Sequence, residues 1–161
     1  MQYWLMKSEP SVFGIDHLIK CKNQTEPWDG IRNYQVRNML RDQMQPGDQA
    51  FFYHSNCQVP GIVGLMEIVS KGYPDFTAFD PTHRSFDPKS DPDTPRWYLV
   101  DVKLIRKFAD TIPLSLMRET PALDGLKILE KGNRLSITPV SSRHWKILLS
   151  MEPNRSRSQC D

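Results

Sequence analysis

Cysteine is scarce here: Cys21, Cys57 and Cys160 are odd in number and spread along 161 residues. That excludes a disulfide framework and points to a reducing compartment. Long apolar runs are missing too. Nothing approaches the roughly 18 residues of a membrane span, and the opening Met1-Gln2-Tyr3-Trp4-Leu5-Met6-Lys7 lacks the apolar core of a secretion signal. A soluble intracellular protein without a membrane partner is expected. Charge is nearly balanced, with 21 Lys and Arg against 19 Asp and Glu for a net +2. Phosphate neutralisation alone would not hold a nucleic acid, so any anionic partner must be gripped locally. Among eight glycines there is no phosphate-cradling loop and no nucleophile elbow. His54 and Cys57 resemble half of a metal site, but no second pair lies near them and His17, His83 and His144 are scattered. No metal and no cofactor is expected.

What is present reads as one domain over residues 1–150, followed by a polar, Arg- and Ser-rich segment, 151–161, expected to be flexible. A chain of this size can bury roughly two-thirds of its surface without a staple. Tyr3 to Met6 reads as a strand, and Ile15, Leu18 and Ile19 have helical spacing. A stronger helix follows from Asn33, with Val36, Met39 and Leu40 on one face, and ends at Pro46-Gly47. Gln49 to Tyr53 and Gly61 to Val69 are strands, the second almost wholly apolar, as a strand covered on both faces should be. Residues 73–96 hold five of the thirteen prolines and the echo Phe79-Asp80-Pro81, Phe86-Asp87-Pro88. They predict an ordered irregular flap, pinned to the body by its phenylalanines. Trp97 to Lys107 alternates as a strand, short helices are expected at Leu114 to Arg118 and Leu126 to Glu130, Ile137 to Val140 closes the sheet, and Ser142 can cap a last helix. About five dispersed strands with helices between them predict an α+β fold, a small mixed or antiparallel barrel with helices packed outside.

Four polar clusters lie at element boundaries, where binding groups concentrate. They are Lys7-Ser8-Glu9, Trp28 to Tyr34, Tyr53-His54-Ser55-Asn56 and Asn133-Arg134-Leu135-Ser136. Each has a bland reading. Ser8 could cap a turn, Trp28 could be core, Asn33 a helix N-cap, His54 a satisfied buried histidine and Arg134 a surface ion-pair member. Together they supply an aromatic face, amides, hydroxyls and guanidinium groups, the parts of a pocket for a planar, phosphate-bearing ligand.

These motifs also carry a resemblance. Tyr3-Trp4-Leu5-Met6-Lys7-Ser8-Glu9-Pro10, Trp28-Asp29-Gly30-Ile31-Arg32-Asn33-Tyr34-Gln35-Val36-Arg37-Asn38, Phe51-Phe52-Tyr53-His54-Ser55-Asn56, Pro60-Gly61-Ile62-Val63-Gly64 and Asn133-Arg134-Leu135-Ser136, in this order, resemble the EVE domain. The resemblance implies a PUA-like mixed-sheet pseudo-barrel with helices packed around it, similar to the YTH readers of methylated adenine. It implies a non-catalytic module whose partner is DNA, or RNA, carrying a modified base, with 5-methyl- or 5-hydroxymethylcytosine in DNA favoured. An animal relative carries a segment ahead of the domain, whereas here the motifs begin at Met1. A stand-alone cytoplasmic bacterial form, monomeric or weakly dimeric, is therefore expected.

By the same resemblance Trp28 is the stacking wall, and Lys7, Ser8 and Glu9 lie along the base edge. Tyr53, His54, Ser55 and Asn56 build the floor and the opposite side, Arg32, Asn33 and Arg134 face the sugar-phosphate, and Ser136 is a further ligand-binding residue. Two other classes stay open: a sensor for a free nucleoside-like heterocycle, and a nucleic-acid hydrolase using His54 as general base.

Overall fold

The computed structural model describes residues 1–153; most of the segment expected to be flexible lies outside the described residues. Six strands form one mixed sheet: β1 (Tyr3–Ser8), β2 (Thr25–Pro27), β3 (Gln49–His54), β4 (Gly61–Ile68), β7 (Asp101–Pro113) and β8 (Ile137–Val140), in the spatial order β2-β7-β4-β3-β1-β8. Only β1 and β3 run parallel, with Lys7 opposite Tyr53 and Ser8 opposite His54; every other neighbouring pair is antiparallel. Irregularities between Phe52 and Tyr53, and again along β4 and β7, bend the sheet into a half-barrel. A separate small ribbon pairs β5 (Tyr73–Pro74) with β6 (Tyr98–Leu99).

Side-chain alternation gives the sheet two buried faces. Trp4, Met6, Ala50 and Phe52 meet helices α2 (Ile15–Lys20) and α3 (Tyr34–Asn38) through Ile15, Leu18 and Val36. Leu5, Phe51 and Tyr53 point the other way, toward α4 (Leu114–Arg118) and α5 (Ser142–Ser150) through Met117, Trp145 and Leu148. The continuous apolar run of β4 is thus covered on both sides, as expected. Gly64 is required where α2 crosses it: an added Cβ would lie 2.3 Å from Ile15 Cδ1 and 2.7 Å from the Arg106 carbonyl. The architecture is the α+β pseudo-barrel expected from sequence, and among the described residues no helix is long and apolar enough to cross a membrane.

Several local expectations need correction. Strand β2 was not foreseen, because three residues ending in proline are too short to show a period. Trp97 to Lys107 is not one strand: Tyr98–Leu99 joins the small ribbon, and β7 starts at Asp101 and continues to Pro113. The main helix ends in a π-helical turn, Met39–Gln43. Ser141, not Ser142, caps α5, its hydroxyl accepting from the His144 N–H at 3.1 Å. The polar C-terminal segment is anchored at its start, since Glu152 takes two hydrogen bonds from Arg106 at 2.8 and 2.9 Å. The flap contains a 3-10 turn, Phe76–Phe79, and leaves Phe76 and Phe86 largely exposed. Its anchors are polar instead: the Trp97 indole N–H donates to Asp87 at 2.6 Å, and Asp75 is buried beneath the Gly30 turn.

Candidate functional site

A cavity of about 520 Å³ opens beyond the end of β1. Lys7 and Ser8 enter it from that strand, Val12 and Phe13 from the short helix α1 (Pro10–Phe13), Trp28, Asp29 and Ile31 from the segment after β2, and His83 and Arg84 from the flap. The Trp28 backbone is tied to the sheet by its N–H, which donates to the Val100 carbonyl at 2.8 Å. Its ring meets Phe52 at 5.3 Å and Phe13 at 6.1 Å, both near-perpendicular. Only 6% of Trp28 remains exposed, so it is part of the core as well as of the cavity wall.

The turn after Trp28 is held open by backbone geometry and one buried carboxylate. Gly30 sits at φ +81°, a conformation that disfavours a side chain. Its N–H donates to Asp75 Oδ2 at 2.8 Å, and Arg32 Nη1 donates to the same oxygen at 3.1 Å. Thr77 supplies its backbone N–H and hydroxyl to Oδ1. Burial pushes the Asp75 carboxyl up, but the bonds from Thr77, Gly30 and Arg32 outweigh it and hold the group below the usual carboxylate range. The rest of the Arg32 guanidinium donates to the carbonyls of Ile31 and Ser85. Arg32 therefore clamps the flap to the Trp28 turn, its N–H groups donating to the Ile31 and Ser85 carbonyls and to Asp75.

Burial shifts the proton affinity of two groups in the cavity. Burial, reinforced by the Asp75 charge, pushes the Asp29 carboxyl up. His83 Nε2 faces it at 3.8 Å, while His83 Nδ1 accepts from the Ser85 N–H at 3.0 Å, which leaves Nε2 as the ring nitrogen directed at Asp29. Burial lowers the Lys7 ammonium, which forms no ion pair among the described residues. The Ser8 hydroxyl donates to the Phe13 carbonyl at 2.7 Å, leaving its oxygen free to accept.

The remaining predicted residues do not converge on this cavity. Period-two alternation at the end of β3 sends Phe52 and His54 to one face and Tyr53 and Ser55 to the other. Tyr53, Ser55 and Asn56 line a second cavity of about 610 Å³, which shares Lys7 with the first. His54 packs at 5.4 Å from Phe52 and accepts from the Ile15 N–H at 3.1 Å; it lines a smaller recess beside Asp16 and Lys107. Glu9 accepts from the Asn56 amide at 3.0 Å and lines neither large cavity. Asn33 caps α3 through the Val36 N–H. Arg134 lines a third cavity, and Ser136 is engaged through its carbonyl, which accepts from the Lys7 N–H at 2.8 Å.

Sequence reasoning missed Phe13, His83 and Arg84. Phe13 precedes the turn Gly14, and His83-Arg84 lie between the two Phe-Asp-Pro echoes of the flap, so only the fold brings them to the Trp28 turn. Among the described residues no group of three or more His, Cys, Asp or Glu side chains is placed to hold a metal ion.

Residues 2–151 match the family model described as the EVE domain. Human thymocyte nuclear protein 1 is 43% identical over 166 residues, covering 93% of this chain and 73% of that one. The crystal structure of the human THYN1 protein in complex with 5-methylcytosine-containing DNA superposes with a TM-score of 0.88 at 41% identity, covering 95% of this chain and 98% of that one. A hypothetical protein from Leishmania major has a TM-score of 0.90 at 40% identity, with 97% of each chain covered.

Proposed function

The chain belongs to the EVE-domain family, and on that premise we propose that it is a non-catalytic reader that accepts an extruded modified cytosine of DNA in the cavity beside Trp28. The observation that carries the reading is the composition of that one cavity: an aromatic wall, the carboxylates of Glu26 and Asp29, the hydroxyls of Ser8 and Ser11, and the Lys7 ammonium, which has no ion-pair partner among the described residues. The solved relative holding 5-methylcytosine-containing DNA, at 41% identity, supports the choice of ligand.

Each part has a physical task in this reading. Only the small part of Trp28 that faces the cavity is open to a base, so the ring contributes less than the roughly 1–3 kcal/mol of full stacking, and Phe13, Val12 and Ile31 supply the rest of the contact that offsets unstacking. Cytosine presents an exocyclic amino donor, and Asp29 and the Ser8 oxygen are assigned as its acceptors among the groups that line the cavity. Val12, Phe13 and Ile31 offer the apolar surface that a 5-methyl group requires. One methyl buried there adds about 0.8 kcal/mol, or roughly a four-fold preference over cytosine. Lys7 and Arg84 supply positive charge at the rim for the adjoining phosphate.

The test is binding, at fixed salt, to short DNA and RNA strands carrying cytosine, 5-methylcytosine or 5-hydroxymethylcytosine at one position. A several-fold preference for one modified cytosine, with Asp29→Ala weakening the binding of every cytosine form, is the expected result. Uniform weak binding that follows salt alone would overturn it; equal affinity for the free nucleoside would favour a sensor, and strand cleavage lost in His54→Ala would favour a hydrolase.

A further inference from the structure

The second cavity lies on the opposite face of the same strand ends and is joined to the first through Lys7. Arg118 and Lys131 project into it from α4 and from the loop before β8, and neither forms an ion pair among the described residues. Its one carboxylate, Glu130, is exposed and already paired with Lys127 at 3.4 Å. Tyr53, almost wholly buried, also lines this space, and its hydroxyl forms no hydrogen bond among the described residues. Among the described residues the cavity sets three cations without an ion-pair partner against one carboxylate that Lys127 already contacts, an excess of positive charge that suits an anion.

Its surroundings decide which anion. Lys131 and Asn133 also line a third cavity, of about 480 Å³, into which Arg134 projects. The three spaces therefore follow one another, sharing Lys7 and then Lys131, with cations at each step. A single small anion would need one such station; a polyanionic strand uses a succession of them.

We infer that the second cavity binds a backbone phosphodiester next to the base held beside Trp28, through Lys7, Arg118, Lys131 and the Tyr53 hydroxyl, and that the strand continues toward Arg134. The inference rests on the base-reading proposal above for its direction. Burial pushes the Tyr53 hydroxyl up to about 12, against the opposing pull of the nearby Arg118, so it keeps its proton and donates at any physiological pH. Arg118 and Lys131 do not line the Trp28 cavity, so they strengthen binding without choosing the base.

The experiment is a salt titration of binding to one single-stranded oligonucleotide in cytosine and 5-methylcytosine forms, for the unaltered chain and an Arg118→Gln, Lys131→Gln double variant. Both side chains are exposed, and an unchanged thermal melt verifies the fold. Removing one phosphate contact lowers the slope of log affinity against log salt by about 1 and weakens both oligonucleotides equally. That result with the methyl preference intact supports the inference. An unchanged slope with the preference intact overturns it and leaves the base reading standing. No base preference in either protein, with the slope still lowered, would remove the base reading while supporting the phosphate site; no preference and no change in slope would overturn both.

Discussion

The Arg32 guanidinium stands 3.1 Å from the Asp75 carboxylate and joins positions 43 residues apart. Asp75 is fully buried, and the same oxygen takes the Gly30 N–H, so one carboxylate holds the flap, the turn after Trp28 and the start of α3 together. The cavity beside Trp28 keeps its shape because that junction does.

Replacing Asp75 by Ala should cost about 3–5 kcal/mol, since a buried pair broken on one side strands the other charge and here also the Gly30 and Thr77 donors. Urea unfolding measures it. The folded chain also holds the Asp75 carboxyl below its usual range. Its contribution is therefore present above the unfolded carboxylate pKa and is lost as pH falls through the folded value, so acid unfolding should begin at higher pH in a variant weakened at this junction, such as Arg32→Gln.

Trp28→Ala should not be a clean binding probe. The ring is packed against Phe13 and Phe52 and is nearly inaccessible, so truncation should cost about 3–5 kcal/mol. Trp28→Phe keeps most of the packing and should melt within a few degrees of the unaltered chain while binding the modified strand several-fold more weakly. Equal affinity for the two would remove the stacking role.

His54 accepts the Ile15 N–H through Nε2, and burial lowers its pKa against the opposing pull of Asp16. The unfolded chain takes up that proton first, so stability should fall as pH drops from about 6.5, the ordinary value for histidine, toward the lower folded value, and should be flat above it. Thermal melts between pH 5 and 8 should show the decline, and His54→Gln should remove it. A decline unaffected by that substitution would place the titration elsewhere.

Gly64→Ala should destabilise by about 1–3 kcal/mol, because the new methyl meets both Ile15 and the backbone of Arg106 at under 3 Å. Calorimetry measures it, and combining it with Ile15→Val should recover part of the loss.

The fold was largely legible from local pattern. The apolar run of β4, the alternation of β1 and the 3.6-residue spacing of α3 follow from chemistry close in sequence. What escaped were features whose cause is tertiary: β2 exists because β7 pairs with it, and β7 outlasts its expected end because β4 runs alongside it as far as Pro113. The candidate site was only half legible. Trp28, Lys7 and Ser8 do share a cavity, yet Tyr53 and Ser55 lie on the opposite face from His54, and Arg32 and Asn33 are held by structural bonds.

By itself the sequence determined the class of the molecule and its chemical inventory: a near-neutral α+β domain of the EVE family, carrying its polar clusters at strand ends. Residue type and period are local properties, and the chain displays them directly. Which clusters meet was decided by the tertiary structure alone. The pleat sends adjacent side chains to opposite faces, and the flap, tied down by Asp75, brings His83 and Arg84 across more than fifty residues to the side of Trp28.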